Sequence, residues 1–139
     1  MSSFVTVSKK ICRRLSDDVS KLAKVYDYTK MDIPQYPVAL VIPSENEADY
    51  ATTSENRRAW GFTIRLMQEL ERKGAETTER ILRELVDETL QSLDEYYTLG
   101  GDADIVRAAP SRWGWAQIGG GWIRIAEISL TVEAEISIK

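Results

Sequence analysis

Two acidic stretches contain the residue types that could do metal chemistry. Glu45, Glu47 and Asp49 could hold a divalent cation, because carboxylate oxygens are the ligands that hard metal ions prefer. They lack the glycine-anchored spacing of a calcium loop, so a solvated acidic loop is the better interpretation. Residues 71–73 (Glu-Arg-Lys) match the Glu-x-Lys half of a metal-dependent nuclease pattern. That stretch falls at a predicted turn, and a match of two residues is expected by chance.

The sequence lacks the residues and motifs that the common kinds of catalytic site require. The 139 residues include no histidine, which removes the commonest general base and metal ligand and excludes Ser-His-Asp and Cys-His sites within this chain. There is no Walker motif and no dinucleotide fingerprint, and the glycine triplet at 119–121 lacks the lysine and helix of a phosphate loop. We therefore predict a protein that is not an enzyme and uses no cofactor or metal.

Composition predicts a single cytosolic domain spanning residues 1–139. The formal net charge is -4, which gives no support for tight nucleic-acid binding but allows DNA to pass nearby. Cys12 is the only cysteine, so the chain forms no internal disulfide and a reducing compartment is expected. The amino-terminal residues do not resemble a signal peptide and no window resembles a membrane span, so we expect no membrane.

Aromatic and charged residues in two predicted loops are candidates for a subunit or partner interface. Trp113 and Trp115 fall in a glycine-flanked loop at 110–121, and aromatic residues of this kind are enriched at protein interfaces. The alternative is that the two tryptophans fold back as a lid over the core. Tyr50 lies within a long polar loop at 44–57, where it is a candidate partner contact.

Arg57 and Arg58 end that polar loop and could bind Glu45 and Glu47 of a neighbouring subunit. A guanidinium group binds a carboxylate through two hydrogen bonds, which suits an intersubunit ion pair. Within one chain the same pairing would be a surface bridge of little energetic weight.

The spacing of apolar residues predicts the elements that position these side chains. Helical periodicity predicts an amino-terminal helix over residues 8–25, within a segment 1–27, and a long helix over 75–97. Strands are predicted at 38–42, 59–69, 105–109 and 122–138. The last would span roughly 55 Å, more than a domain of this size, so it must bend or project. A bulge near Arg124, where the apolar alternation changes phase, would provide a bend.

The order of these elements resembles the tail terminator (tail completion) proteins of long-tailed bacteriophages and related neck proteins. The matching stretches are residues 36–47 (YPVALVIPSENE), 55–58 (ENRR), 79–87 (ERILRELVD) and 126–128 (AEI). The resemblance implies an α+β fold with a mixed or antiparallel sheet of about four strands and two main helices on one face. It is strongest after about residue 28 and weakest in the amino-terminal helix.

The resemblance also implies what the protein does. Tail terminators form a ring, usually of six subunits, that caps the tail tube protein, ends its polymerisation and then joins the head-tail connector protein. DNA passes through the lumen without specific binding, and the ring is part of the virion, assembled in the host cytoplasm. A head-completion or neck adaptor protein is the alternative within the same structure. An enzyme or small-molecule module is the rival class and should have a concave pocket.

Overall fold

The computed structural model describes residues 4–44, 57–96 and 105–135. In chain order the elements are α1 (Phe4–Asp18), β1 (Lys24–Tyr26), β2 (Val38–Pro43), β3 (Arg57–Glu69), α2 (Ala75–Glu95), β4 (Ile105–Ile118) and β5 (Gly121–Glu135). The strands form one sheet in the order β1-β2-β3-β5-β4. β1 is parallel to β2 and the other pairs are antiparallel, so the sheet is mixed. The α+β class is confirmed, with five strands instead of about four.

The main core lies between one face of the sheet and both helices. On β3 and β5 the alternate residues pair across the strands, with Phe62 opposite Leu130 and Ile64 opposite Ile128. The apolar stripes of α1 and α2 pack on this face, since residues of both helices belong to the same buried cluster as the strand residues. The fully buried helix residues of this cluster include Val7, Ile11, Leu15, Leu82, Leu85 and Leu93. The prediction of two helices on one face therefore agrees with the structure.

The amino-terminal helix is shorter than its periodicity predicted. It ends at Asp18, whose carboxylate accepts a 2.8 Å hydrogen bond from Ser92 Oγ of α2 and pairs with Arg14 at 2.7 Å. The prediction of helix to residue 25 was wrong, because the chain leaves the helix after Asp18 and Lys24–Tyr26 form a strand. Ala23 N–H donates to the carbonyl of Pro37 at 2.7 Å, and β1 continues that pairing alongside β2.

β2 is covered on both faces. All five residues from Val38 to Ile42 are buried. A second, smaller buried cluster lies on the side of the sheet away from the helices. It consists of the alternate β2 residues Val38, Leu40 and Ile42 together with Met67 and Ile123. Ile33 and Tyr36, from the connection that precedes β2, pack against this cluster.

β4 and β5 form a long hairpin where a loop was predicted. The segment 110–121 is strand as far as Ile118, and Gly119 and Gly120 make the turn with φ of 59° and 83°. Two residues with positive φ between paired strands are typical of a type I′ hairpin turn, for which glycine is suited. The prediction of a long loop was wrong because this Gly-Gly signal was not recognised.

The irregularity in this hairpin lies in β4 and not at Arg124. The register shifts between Pro110 and Arg112, whereas β5 pairs with β3 without interruption from Ile123 to Glu135. Proline has no N–H to donate to a ladder, so Pro110 is a natural place for the shift. β5 has 15 residues and lies between strands of 13 and 14 residues, so its length is matched within the sheet.

Candidate functional site

β4 forms one edge of the sheet, and its outer side is paired with no other strand among the described residues. An edge of 14 residues carries a row of backbone donors and acceptors that could pair with another chain. Natural edges are usually protected by charges, proline or bulges, and β4 has all three, in the exposed Arg107 and Arg112, in Pro110 and in the register shift beside it. These features restrict pairing along the middle of the strand.

The register shift in β4 decides which way the two predicted interface tryptophans point. Before it, Ala108 lies opposite Leu130, and after it Trp113 lies opposite Ala126. Because side chains alternate between faces, one extra residue moves the odd-numbered residues onto the face that carries the helices. Trp113 and Trp115 therefore lie on the helix side of the sheet, and they remain 38% and 40% exposed.

Arg124 brings Trp113 and Trp115 together. Its guanidinium carbon lies 5.5 Å from the ring centroid of Trp113 and 5.4 Å from that of Trp115, within the range of a cation–π interaction. Nε of Arg124 donates to Glu79 on α2 at 2.6 Å, and Nη2 donates to the same carboxylate at 3.1 Å. We call these four residues the tryptophan cluster. This cluster connects the hairpin to α2, and part of the apolar surface of both tryptophan rings remains exposed.

The ion pair in the tryptophan cluster is well shielded. The Arg124 side chain is 16% exposed and the Glu79 side chain 23%. The hydrogen bonds from Arg124 hold the pKa of Glu79 below its usual value, although burial acts in the opposite direction. Arg83 lies 3.3 Å from the same carboxylate and adds to the effect. Glu79 is therefore charged at neutral pH and holds the guanidinium in place against the two rings.

A groove beside the tryptophan cluster separates α2 from β4. It has a volume of about 500 Å³. Its apolar surface comes from Val86, Leu90, Pro110 and Trp113, and its charged rim from Glu79, Arg83, Asp87 and Arg124. An apolar floor with a charged rim is the pattern of a protein interface, and a volume of this size is also typical of small-molecule sites.

The face of the sheet away from the helices is polar in the same region. Glu127 lies opposite Arg65, which donates to it at 3.0 Å, and Arg112 lies 3.8 Å from its other oxygen. Ser111 Oγ donates to the backbone carbonyl of Glu127 at 3.1 Å. The hairpin thus presents an aromatic face on one side and an ion-paired face on the other.

Among the described residues, neither a metal-binding group nor a reactive thiol is found. No group of three or more Cys, Asp or Glu residues in the described part is placed to hold a metal ion. Residues 71–73 lie in the turn between β3 and α2, as the sequence predicted, and not on a strand as a nuclease motif requires. Burial raises the pKa of Cys12 to about 12, with Asp27 contributing, so this thiol is a poor nucleophile at neutral pH.

Several predicted interface residues cannot be placed in this site. Tyr50, Glu45 and Glu47 lie outside the described residues. Arg57 and Arg58 are the first two residues of β3, with backbones opposite Glu135 and Ala134 in β5. Their predicted pairing with the acidic loop concerns residues outside the described part, so it stays a prediction.

The sequence indicates Trp113 and Trp115 as interface candidates but does not indicate their partners Arg124 and Glu79. In the sequence, Arg124 is distinguished only by breaking the apolar alternation of β5, and nothing distinguishes Glu79 from the other acidic residues of α2. A charged residue at an inward position of a strand is the signal that could have indicated a buried ion pair, because an unpaired charge there would be costly.

No protein-family model matches this chain, and no curated protein matches its sequence. Neither α1 nor α2 is long and apolar enough to cross a membrane, among the residues that the structure describes. The likeness to phage tail terminators therefore rests on the sequence stretches given above.

Proposed function

We propose that this protein is a structural, non-catalytic subunit of a phage tail, a tail terminator. Six copies form a ring that caps the tail tube, ends its polymerisation and joins the tail to the head connector. DNA passes through the lumen without specific binding. The mature ring belongs to the virion tail and neck, and it is assembled in the host cytoplasm.

The observation that carries the proposal is the long hairpin, with an outer edge that is unpaired among the described residues and with partly exposed tryptophans. Trp113 and Trp115 are each about two-fifths exposed on β4, whose outer edge pairs with no other strand among the described residues. Tryptophan is among the residues that contribute most at protein interfaces, because it buries a large area at a small cost in side-chain entropy. These features support self-association or docking to a neighbouring protein.

Charge and chemistry support the same proposal. The acidic balance of the chain suits a ring through which DNA must move, because a basic lumen would hold the phosphates. A terminator needs one surface that accepts the tube and another that refuses a further ring of tube subunits, which is a matter of shape and charge and requires no reactive group.

Electron microscopy and a tube-growth assay test the proposal together. Purified protein should form rings, and added to growing tail tubes it should stop their elongation at a fixed stage. Tubes that keep growing in its presence would reject the terminator role. Binding to the connector without any effect on tube growth would favour the neck adaptor alternative.

A further inference from the structure

Four exposed apolar side chains meet at the turn end of the β4–β5 hairpin. They are Met31, which is 85% exposed, Trp122 at 50%, Leu70 at 43% and Ile118 at 39%. All four line one cleft, which we call the turn cleft. Single exposed apolar residues are ordinary, but a contiguous group of them marks an interaction site.

The turn cleft is built on paired backbone. Leu70 N–H donates to the carbonyl of Trp122 at 2.9 Å, which extends the β3–β5 pairing to the wall of the cleft. Gly119 and Gly120 form the turn at one side, and residues 31–36 form the other. The floor includes Ile123, which belongs to the second core cluster. The cleft has a volume of about 660 Å³, enough for several side chains.

The charge of the turn cleft selects what enters it. Its charged lining residues are Asp32 and Glu69, and both are acidic. Burial and the nearby Glu69 raise the pKa of Tyr36, which also lines the cleft, so the Glu69 charge acts within it. An occupant should therefore combine an apolar side chain with basic ones.

α1 carries such a combination on its exposed side. Val5 is 60% exposed. Lys9 and Arg13, which follow it at intervals of four residues, are also exposed. Residues at this spacing lie on one helix face, so an apolar side chain and two cations form a stripe. We call it the α1 stripe.

Val5, the apolar member of the α1 stripe, cannot reach the turn cleft of its own chain. Phe4, next to Val5, stacks on Phe62 with ring centroids 4.8 Å apart. Phe62 lies seven residues before Glu69 on β3, which is about 23 Å along an extended strand. A stripe that fills the cleft must come from another molecule.

We propose that the turn cleft of one copy receives the α1 stripe of a second copy, with Val5 against Trp122 and Leu70 and the cations beside Asp32 and Glu69. The two surfaces differ, so the contact is head-to-tail and builds a closed ring or an open chain. This proposal requires only self-association, and it holds whether or not the assembly caps a tail tube.

Charge reversal tests the contact. In sedimentation velocity, Lys9→Glu with Arg13→Glu should weaken self-association at least tenfold, and so should Asp32→Lys with Glu69→Lys. An equimolar mixture of the two double variants should regain association, because each carries the surface that the other lost. Arg72→Glu with Lys73→Glu, an exposed double change outside the cleft lining that alters the net charge by the same amount as Lys9→Glu with Arg13→Glu, is the matched control and should leave association unchanged.

Self-association should also depend on Trp122, the apolar residue that Val5 of the second copy is proposed to contact. Trp122→Ala should weaken association in the same range while urea denaturation shows the fold intact, since half of this side chain is already in water. Wild-type protein that stays monomeric, or a mixture of the two double variants that associates no better than either alone, would overturn the proposal. Tube capping is measured separately, so a failure of the proposed function does not affect this test.

Discussion

Glu79 on α2 accepts two hydrogen bonds from Arg124 on β5, 45 residues further along the chain, at 2.6 and 3.1 Å. The pair crosses from helix to sheet at the place where the Arg124 guanidinium contacts the rings of Trp113 and Trp115. A charge-assisted pair with both side chains mostly shielded contributes more than an exposed surface bridge. Its role is to fix the hairpin against α2 so that the exposed ring surface has one orientation.

Glu79→Gln should lower the free energy of unfolding at pH 7 by about 1 kcal/mol, because a neutral amide replaces a charged acceptor. The pKa of Glu79 is below its usual value in the folded protein, so its contribution is present above the ordinary glutamate pKa. That contribution is lost as the pH falls through the folded pKa. Urea denaturation of both proteins should therefore give a difference at pH 7 that shrinks below about pH 4.5.

Glu76→Gln is the matched control for this measurement. Glu76 is exposed near the start of the same helix, and the described residues give it no ion pair. It should change stability by only a few tenths of a kcal/mol, the usual size of a helix-dipole effect at the surface. A loss for Glu79→Gln that is the same at pH 3.5 as at pH 7 would show that shape, and not charge, matters at this position.

Trp113→Ala and Trp115→Ala should weaken assembly more than folding. Each side chain is already about two-fifths exposed, so the loss in unfolding free energy should be about 1–2 kcal/mol, below the ~3–5 kcal/mol typical of a buried tryptophan. Assembly, measured by sedimentation, should fall at least tenfold, as expected for an interface hot spot. An equal loss of folding and assembly would favour a purely structural, lid-like role.

Trp60→Ala provides the comparison for the buried case. Trp60 lies on β3 within the main core and is 7% exposed. Its truncation should reduce the free energy of unfolding by the full amount for a buried aromatic residue, about 3–5 kcal/mol. The contrast between Trp60 and Trp113 separates damage to the core from damage to a surface.

The sequence predicted best those elements whose apolar period is undisturbed. β5 alternates cleanly from Ala126 onward, and α2 repeats its apolar residues at helical spacing, and both were predicted within a few residues. The end of α1 was not, because Leu22 and Val25 fit a helix stripe as well as a strand. A local pattern cannot tell whether this segment will form a helix or a strand. The strand β1 forms because it pairs with β2, fourteen residues further along the chain.

The candidate site was likewise predicted only in part from the sequence. Residue type alone indicated Trp113 and Trp115, but Pro110 and the glycines around them suggested a loop. The shift beside Pro110 that turns both rings toward α2 depends on pairing with β5, and the Glu79–Arg124 contact depends on how α2 crosses the sheet. Neither can be read from spacing along the chain.

The Gly119–Gly120 turn predicts opposite results for two substitutions. Gly119 has a φ of 59°, which asparagine tolerates, and Asn-Gly is the preferred type I′ pair. Gly119→Asn should therefore leave stability unchanged or raise it by up to about 0.5 kcal/mol, since it reduces the freedom of the unfolded chain.

Gly120→Val should lower the free energy of unfolding by about 1–2 kcal/mol. A Cβ at Gly120 would meet nothing within 4 Å, so the cost comes from a β-branched residue at a φ of 83° and not from a clash. Thermal or urea denaturation of both variants checks the prediction. A Gly120→Val protein as stable as the wild type would contradict the turn.

Cys12 should react slowly with thiol reagents in the folded protein. Burial raises the pKa of this thiol to about 12, with a further contribution from the Asp27 charge, so at pH 8 the reactive thiolate is scarce. Unfolding should restore an ordinary pKa near 8.5 and increase the rate of alkylation by iodoacetamide by a factor of 100 or more. Because the folded pKa is the higher one, the folded state is favoured most below the ordinary thiol pKa, and this contribution declines as the pH rises above it.

Alkylation followed by mass spectrometry, in buffer and in guanidinium chloride, gives the two rates. Equal rates would show that the thiol on α1 is open to solvent and that α1 is not held against the core as described.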